Sequence, residues 1–456
     1  MHTCVKPMVF AIFALPVALA SAQEAASQAD AVQKDKAAST NSALNVPSLA
    51  VPGASVPLFG ATDATANVAQ QAATASYEKI SGGAVPRGNP LRFSNGIFVY
   101  PSATVSLGHN DNLTGVPTGK ESSTVLTLSP QVVAELKRSG DRYALSYTGN
   151  YARHFSSSND DFAQHLLELL GENVFTARFR TNWGLSYQVG TDARGSTDTA
   201  TGVDKPNKWH STTLRGGLVY GAQGAAGRLQ LDGSWMSKRF DNNRLQTVAS
   251  DVDATTLSSS FYYRVAPKTS ALFELRNTWS DYVLSTSDQD NQDRRLYVGL
   301  TWDATAKTSG SVRLGRAYKR FDGSSAREDG TTGSWEASVT WAPLTYSTLG
   351  LSTARGFADS SGTGDFVENT SMGLTWTHQW SSLTSSSVSL GRVSSKYSAN
   401  TRKDVTDTLG LGLNRALSSN TSVGLNWTHT ARDTSGTPTN LDFKRNVTML
   451  QLQTSL

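Results

Sequence analysis

Cysteine is almost missing from this sequence, because its 456 residues contain only one, Cys4. Beyond that position no disulfide and no thiolate metal site can form, so the chain must fold without covalent staples. Long apolar runs are missing as well. The longest, Val9 to Ala20, is shorter than the ~20 residues that a membrane-spanning helix needs. The sequence therefore excludes a helical membrane protein.

Charged residues and catalytic motifs are also scarce. Only 17% of the residues are charged, and the formal net charge is +4. The sequence has no dinucleotide fingerprint, phosphate loop or H-E-x-x-H segment, and its histidines do not share metal-ligand spacing. Asn110-Asp111-Asn112 offers the oxygen ligands that calcium prefers, but no further spaced carboxylates follow, so we interpret it as a turn at a strand end. We predict no enzyme activity, no catalytic, cofactor or metal site, and no nucleic-acid partner.

The first 90 residues form two segments of different character. Residues 1–22 have the features of a secretory signal peptide, with Lys6 before an apolar core and Ala20-Ser21-Ala22 as an A-x-A cleavage site. Residues 23–90 are rich in Ala, Ser, Gln, Val and Pro without a sustained period. This composition predicts a disordered periplasmic tail or linker, which acts either as a spacer or as a binding segment for periplasmic export components.

From residue 91 to residue 456, segments of alternating apolar and polar residues recur. Such alternation places successive side chains on opposite faces of a β-strand. The apolar members of clear segments are Ile97, Val99, Leu296, Val298, Leu300, Trp302, Leu409, Leu411, Leu413, Val423, Leu425 and Trp427. Residues 91–456 are therefore predicted to be all-β.

The connections between these segments alternate between short and long. Short turns are expected near Gly140, Gly171, Gly224, Pro267, Lys307, Pro343, Ser382 and Ser419. Long hydrophilic connections are expected at 109–120, 156–161, 191–208, 241–251, 285–293, 322–332, 358–365, 398–404 and 433–442. This alternation predicts an antiparallel up-and-down barrel of about 18 strands, with short turns and both termini in the periplasm. A propeller, which shares the hairpin repeat of about 40 residues, needs four strands in each repeat, and only two fit.

An interior bounded by about 18 strands is too wide for side chains to fill, so the apolar face must point outward into lipid. The opposite face would then line a wet lumen. Charged residues on that parity are predicted to line it: Arg178, Arg180, Arg215, Asp232, Arg264, Glu274, Arg276, Arg313 and Glu336. Tryptophans on the apolar parity are typical of an aromatic girdle at the membrane interfaces: Trp183, Trp235, Trp279, Trp302, Trp341, Trp376, Trp380 and Trp427. We therefore expect an integral protein of the outer membrane.

Several short motifs resemble the putative β-barrel porin 2 family. They are Ile97-Phe98-Val99-Tyr100-Pro101-Ser102, Gly108-His109-Asn110-Asp111-Asn112-Leu113, Leu128-Ser129-Pro130, Tyr143-Ala144-Leu145-Ser146-Tyr147, Tyr151-Ala152-Arg153-His154-Phe155, Asp161-Phe162-Ala163-Gln164-His165 and Asp192-Ala193-Arg194-Gly195. The likeness extends from about residue 91 to the end. Members are often associated with export systems for surface polysaccharide or exopolysaccharide, and the resemblance implies that role here. The alternation and the turns do not themselves imply it.

The leading functional expectation is a channel that assists the export or assembly of a surface polysaccharide. Its partners would be outer-membrane lipid, lipopolysaccharide and the polysaccharide chain. A general diffusion porin for small solutes is the first alternative. A barrel enzyme or an adhesin acting through its loops is another. Serine is so common that every histidine has one nearby, so such proximity does not identify a catalytic site.

A repeated motif at two strand exits has two interpretations. Lys238-Arg239-Phe240-Asp241 and Lys319-Arg320-Phe321-Asp322 share the same order of cation, cation, aromatic residue and acid. These residues either surround the channel mouth and bind acidic sugars, or contact anionic lipopolysaccharide headgroups as a membrane anchor.

Overall fold

The computed structural model describes residues 88–456, apart from 193, 195–203, 223, 306, 324–325, 361–363 and 437–440. The signal peptide predicted for residues 1–22 lies outside the described residues. So does the tail predicted for residues 23–90, except for its last three positions.

A short strand, β1 (Leu91–Arg92), precedes eighteen long strands in the described part of the chain. They are β2 (Ile97–Asn110), β3 (Ser123–Arg138), β4 (Asp141–His154), β5 (Phe162–Val174), β6 (Phe179–Asp192), β7 (Asn207–Tyr220), β8 (Gly227–Phe240), β9 (Val252–Ala266), β10 (Thr269–Tyr282), β11 (Asn291–Thr305), β12 (Thr308–Phe321), β13 (Gly330–Leu344), β14 (Ser347–Asp359), β15 (Phe366–Gln379), β16 (Thr384–Tyr397), β17 (Lys403–Ala416), β18 (Thr421–Ser435) and β19 (Phe443–Ser455). One short helix, α1 (Arg244–Thr247), and the 3-10 turns Ser94–Gly96, Ser158–Asp160 and Val248–Ser250 accompany them. Among the described residues, no helix combines the length and apolar character needed to cross a bilayer.

The strands form one closed sheet in which each long strand pairs antiparallel with its neighbour in sequence. The ring closes where β19 pairs with β2, with Leu450 opposite Leu107. β1 pairs with the first residues of β2, where Arg92 lies opposite Phe98. Closure leaves no unpaired edge along the barrel, as a membrane-spanning sheet requires. The predicted up-and-down barrel is thus confirmed.

Connection lengths alternate as the sequence predicts. At one end the strands join through turns as short as Ser139–Gly140, and at the other end through connections as long as residues 193–206. The turn predicted near Gly171 is wrong, because β5 continues to Val174 and the turn occupies residues 175–178. Gly171 lies opposite Trp183, and a Cβ at residue 171 would overlap the indole. This glycine therefore makes space for an aromatic ring and does not mark a turn.

The two faces of the barrel differ as alternation requires. Large apolar side chains of one parity are exposed, among them Leu107 (51%), Val298 (57%) and Leu411 (46%). They form an outward apolar band with the composition of a lipid-facing surface. Neighbours of the other parity, such as Ser106 and Arg313, are buried on the inner face.

Most tryptophans of the described strands lie on the outer face, near one end of a strand or the other. Trp235 and Trp279 are in the loop-side halves of β8 and β10, whereas Trp302 and Trp341 are near the turn-side ends of β11 and β13. This distribution fits two aromatic girdles at the membrane interfaces.

A small apolar cluster lies on the inner face beside the seam where β19 meets β2. Val125, Ala152 and Met449 are buried, and Phe162 and Val447 pack against them. The cluster supports the loop end of the barrel, where loops 111–122 and 155–161 are attached.

Candidate functional site: the lumen and its mouth

The candidate site is the inner face of the barrel, and most of the charged residues predicted to line it lie on β6 to β13. The structure places eight of the nine predicted lumen residues on inner-face positions of these strands. They are Arg180, Arg215, Asp232, Arg264, Glu274, Arg276, Arg313 and Glu336. Arg178 lies in the turn at residues 175–178, and not on a strand.

Four of these residues form one buried cluster, which we call the wall cluster: Glu274, Arg276, Arg313 and Glu336. Arg276 donates to Glu274 Oε1 from Nε at 2.9 Å and to Glu336 Oε1 from Nη1 at 2.8 Å. Arg313 donates to Glu274 and lies 3.5 Å from Glu336. Each acid thus contacts both arginines, and no member is more than 6% exposed. The two positive and two negative charges therefore compensate one another within the cluster.

Small inner-face residues allow this cluster to form across four strands. Gly299 of β11 and Gly315 of β12 lie between the charged residues of β10 and β13. A Cβ at Gly315 would overlap the backbone oxygen of Leu296, and one at Gly299 would overlap that of Val312. The long side chains can therefore extend flat across β11 and β12.

Three of the other predicted residues have hydrogen-bond or ion-pair partners outside the wall cluster. Asp232 accepts a hydrogen bond from Gln230 Nε2 at 2.8 Å, and Arg215 lies 4.0 Å from Glu168. Arg264 is near the turn end of β9, beside the turn at residues 221–226, where its backbone nitrogen donates to Ala226.

Sequence reasoning missed two residues of the same wall. Tyr297 bonds to Ser334 at 2.7 Å and to Glu336 at 3.3 Å through its hydroxyl. Arg295 donates to Asp293 from Nη2 at 2.7 Å. Extending the parity of Tyr297 two residues backward would have placed Arg295 on the inner face.

The inner face of β15 to β18 is different in kind, and we call it the neutral wall. Its inward side chains are mainly hydroxyls, amides and glycines: Asn369, Ser371, Gly373, Thr375, Thr377, Gln379, Ser385, Ser387, Ser389, Gly391, Ser395, Thr406, Thr408, Gly410, Gly412, Asn414, Ser422, Gly424, Asn426, Thr428 and Thr430. All four strands are described throughout, and their only charged inward residues, Asp404 and Arg432, lie near the loop end. In a ring of eighteen strands, β15 to β18 lie opposite β6 to β9.

Several polar atoms of the neutral wall are buried without a protein partner. Asn369 Nδ2 and Oδ1 and Asn414 Oδ1 have no hydrogen-bond partner among the described residues. Buried amide groups normally have partners, so these atoms are suited to bind water or the hydroxyl groups of a solute.

Arginines hold three loops together across the mouth. Arg194, in loop 193–206, donates to Asp160 Oδ1 at 2.8 Å and to Glu121 Oε2 at 3.3 Å, which joins loops 111–122 and 155–161. Burial works against the charge of Arg194, but its hydrogen bond to Asp160 and the charge of Asp160 outweigh this and raise the pKa of Arg194. Arg445, on the inner face of β19, donates from Nε to the backbone oxygen of Asn112 at 2.7 Å. Loop 111–122 is therefore tied to the inside of the barrel.

The loop end of the β14–β15 hairpin leans into the lumen. The β13–β14 pairing stops at Trp335–Arg355. Beyond it, Arg295 of β11 donates to Phe357 O at 2.9 Å. Thr332, on the inner face of β13, donates to Glu368 at 2.6 Å. The outer face of this hairpin end thus packs against the inner face of β11 to β13, which narrows the lumen.

The two strand-exit motifs divide their side chains between the two faces. Lys238 lies on the inner face, with Nζ 4.5 Å from the centre of the Trp209 ring. Its neighbour Arg239 points outward and pairs with Asp253 at 2.8 Å. In the second motif Lys319 is likewise internal and bonds to Asn291 Oδ1 at 2.7 Å, whereas Arg320 is exposed on the outer face.

Asn110-Asp111-Asn112 is a turn that is fixed by its own side chains. Asn110 Oδ1 accepts from the backbone nitrogen of Asn112 at 3.0 Å, and Asp111 accepts two bonds from Asn446 at 2.7 Å. Within the described residues no group of histidine, cysteine or acidic side chains is arranged to hold a metal ion.

The chain is similar to one porin family and to several solved structures. The family model described as "Putative beta-barrel porin 2" matches residues 94–456. OccK2 (OpdF) of Pseudomonas aeruginosa, solved with glucuronate, is 13% identical, with 78% of this chain and 98% of that chain covered and a TM-score of 0.45. A BenF-like porin from Pseudomonas fluorescens Pf-5 is 10% identical, with 78% and 99% covered and a TM-score of 0.45. A bacterial polysaccharide outer membrane secretin is 11% identical, with 77% and 97% covered and a TM-score of 0.34. No curated protein matches the chain.

Proposed function

Because the chain belongs to the putative beta-barrel porin 2 family and is an integral channel of the outer membrane, we propose that it passes small, hydroxyl-rich solutes of the saccharide type. The observation that carries this proposal is the neutral wall. Hydroxyl and amide groups both donate and accept hydrogen bonds, so they replace the water around a sugar without holding it by charge.

The charged strands opposite the neutral wall complement it. Arg215 and Asp232 are inward on β7 and β8, so a solute in the lumen meets mixed charge on one side and neutral polar groups on the other. Mixed charge gives only weak selection by net charge, as expected of a channel that accepts neutral and weakly acidic sugars.

The narrowed mouth favours small solutes over a polymer. Arg194 and Arg445 tie three loops together, and the β14–β15 hairpin reduces the space on the opposite side. Transport would be passive diffusion through the polar lumen.

Polysaccharide export or assembly is the second candidate. Family resemblance implies it, and the neutral wall extends along the length of four strands, which suits a sliding sugar chain. The two candidates differ in the size of solute that enters.

Planar-bilayer conductance of the purified protein tests the proposal with neutral oligosaccharides of increasing length. We expect short oligosaccharides to block the current reversibly and long ones to be excluded. Blocks that lengthen steadily with chain length, together with altered surface polysaccharide after gene deletion, would favour export. An absence of block at any length would contradict both candidates.

A pair of variants locates the interaction. Asn414→Leu with Asn426→Leu removes two amides from the neutral wall, and we expect oligosaccharide block to weaken about tenfold or more, because each lost hydrogen bond contributes about 1 kcal/mol. The control, Ser186→Leu with Ser234→Leu, adds more bulk than this to the opposite wall and removes no amide. If both double variants lose block alike, pore size and not the neutral wall is responsible.

The orientation is also part of the proposal. Asn89 N donates to Leu456 O, so the chain enters the barrel at the end that carries the short turns. We place this end in the periplasm and the loops outside, as in other outer-membrane barrels. Because Cys4 is the only native cysteine, Ser398→Cys in a loop and Ser419→Cys in a turn can be labelled selectively on intact cells. Only the loop position should react.

A further inference from the structure

Three outward arginines near the loop end of the barrel are paired with acids. Arg239 contacts Asp253 at 2.8 Å, Arg355 contacts Glu368 at 2.7 Å, and Arg392 contacts Asp407 at 2.6 Å. Such pairs compensate their own charge, so they leave little to attract an external anion.

Among the outward arginines without such a partner, three lie together on β11 and β12, and we call them the arginine patch: Arg294, Arg316 and Arg320. All three are exposed on the outer face. None has a carboxylate partner among the residues that the structure describes. The patch therefore carries three uncompensated positive charges.

The register brings these arginines together. Arg294 lies directly opposite Tyr318, and Arg316 and Arg320 flank Tyr318 on the same face of β12. Diagonal neighbours of this kind have Cβ atoms about 7–8 Å apart or less. Three guanidinium groups can therefore converge on one anion.

The adjoining strands place no acid beside Arg294 or Arg316, and the acids nearest to Arg320, Asp322 and Asp329, lie in the following loop. Asn277 of β10 lies opposite Arg294, and Gly333 of β13 lies opposite Arg316. A Cβ at Gly333 would meet no atom within 4 Å, so the surface beside Arg316 is open. An anionic group can approach the patch from this side.

The patch lies at the border of the apolar band. Toward the turn end, the next outward residues are Leu296 (47% exposed), Val298 (57%) and Leu314 (58%). A molecule with a charged head and apolar chains would match both surfaces at once. The cost of an arginine toward lipid is small at this interface, in contrast with the bilayer centre.

We propose that the arginine patch binds the phosphate groups of a phosphorylated glycolipid of the outer leaflet, whose acyl chains lie along Leu296, Val298 and Leu314. Guanidinium groups bind phosphate through paired, charge-assisted hydrogen bonds, and a third arginine adds charge. The inference rests on the proposed orientation, with the loops outside.

The test uses the full-length barrel in detergent and lipid A as the probe, with and without its phosphates. Arg294→Gln, Arg316→Gln and Arg320→Gln are combined in one variant. The control combines Lys208→Gln, Lys396→Gln and Lys444→Gln, three exposed outer-face lysines on separate strands, so both variants lose three charges. We expect native mass spectrometry to show at least tenfold weaker binding of phosphorylated lipid A to the patch variant alone. Dephosphorylated lipid A should bind all three proteins equally weakly.

Equal affinity of the wild type and the patch variant would overturn the proposal. So would equal losses in both variants, which would show only general charge attraction, and so would displacement of the lipid by millimolar inorganic phosphate. Cysteine labelling of the loops reports separately on orientation. If the loops are periplasmic while the patch still binds lipid A, the proposed orientation is wrong, but the proposed binding of phosphate by the patch is not.

Discussion

Arg276 and Glu336 are 60 positions apart in sequence, yet Arg276 Nη1 donates to Glu336 Oε1 at 2.8 Å across two intervening strands. Glu274 and Arg313 complete the wall cluster, in which every charge has an opposite partner. A buried charge is tolerated only when it is paired and hydrogen-bonded. The contact therefore couples strands that share no backbone ladder.

Replacing Arg276 with Ala should destabilise the barrel by about 3–5 kcal/mol, because Glu274 and Glu336 would remain buried with fewer positive partners. Denaturant unfolding of the protein in lipid vesicles measures the change. The control is Arg392→Ala, which breaks an exposed outer-face pair whose side chains are 62% and 43% exposed. That change should cost about 1 kcal/mol or less. Equal effects of the two substitutions would mean that the charges of the wall cluster are exposed to water and not buried.

Arg445→Ala should open the mouth. The substitution removes the donor that holds loop 111–122 to the inside of β19, so single-channel conductance should rise and current noise should increase. The loss of a hydrogen bond from a charged donor also predicts a stability cost of about 1.5–3 kcal/mol.

Lys444→Ala is the matched control for Arg445→Ala. Lys444 is the preceding residue and is exposed on the outer face, so its removal should leave conductance unchanged. An unaltered conductance in Arg445→Ala would show that loop 111–122 does not restrict the channel.

Gly315→Ala should reduce the yield of folded barrel sharply, because the added methyl group would overlap the backbone oxygen of Leu296. Backbone cannot move aside as a flexible side chain can, so the β11–β12 pairing must distort. Gly333→Ala is the control, since a Cβ at that position meets nothing within 4 Å. Heat-modifiable migration on gels measures the folded fraction. A normal yield for Gly315→Ala would show that the sheet adjusts at that point without loss.

Alternation in the sequence was sufficient to predict the barrel and the face of most strand residues. Leucines occupy every second position at Leu409, Leu411 and Leu413. A strand with one face in lipid needs this repeat, whichever strand it pairs with. Glycine was less informative. Glycines are common in turns, but Gly171 lies within a strand, and the indole of Trp183 occupies the space that its missing side chain leaves. A glycine alone does not distinguish these two uses.

The candidate site was only partly predictable, because its contacts depend on register between distant segments. Parity assigns Arg276 and Glu336 to the inner face, but their meeting depends on the pairings of β11 and β12 between them. The mouth was not predictable at all. Arg445 follows Phe443 and precedes Val447 on the same inner face, so apolar neighbours conceal the parity, and its partner Asn112 is 333 positions away.

Because one face of the barrel meets lipid and the other meets water, the same substitution should have opposite effects on the two faces of one strand. Leu411 and Thr408 are both near the middle of β17, Leu411 outward and Thr408 inward. Leu411→Arg places a cation in hydrocarbon and should cost about 2–4 kcal/mol in folding into vesicles. Thr408→Arg places the same cation in the lumen, where water solvates it, and should change stability little. Equal tolerance of both substitutions would contradict a lipid-facing outer surface, since only a surface in water accepts arginine at either position.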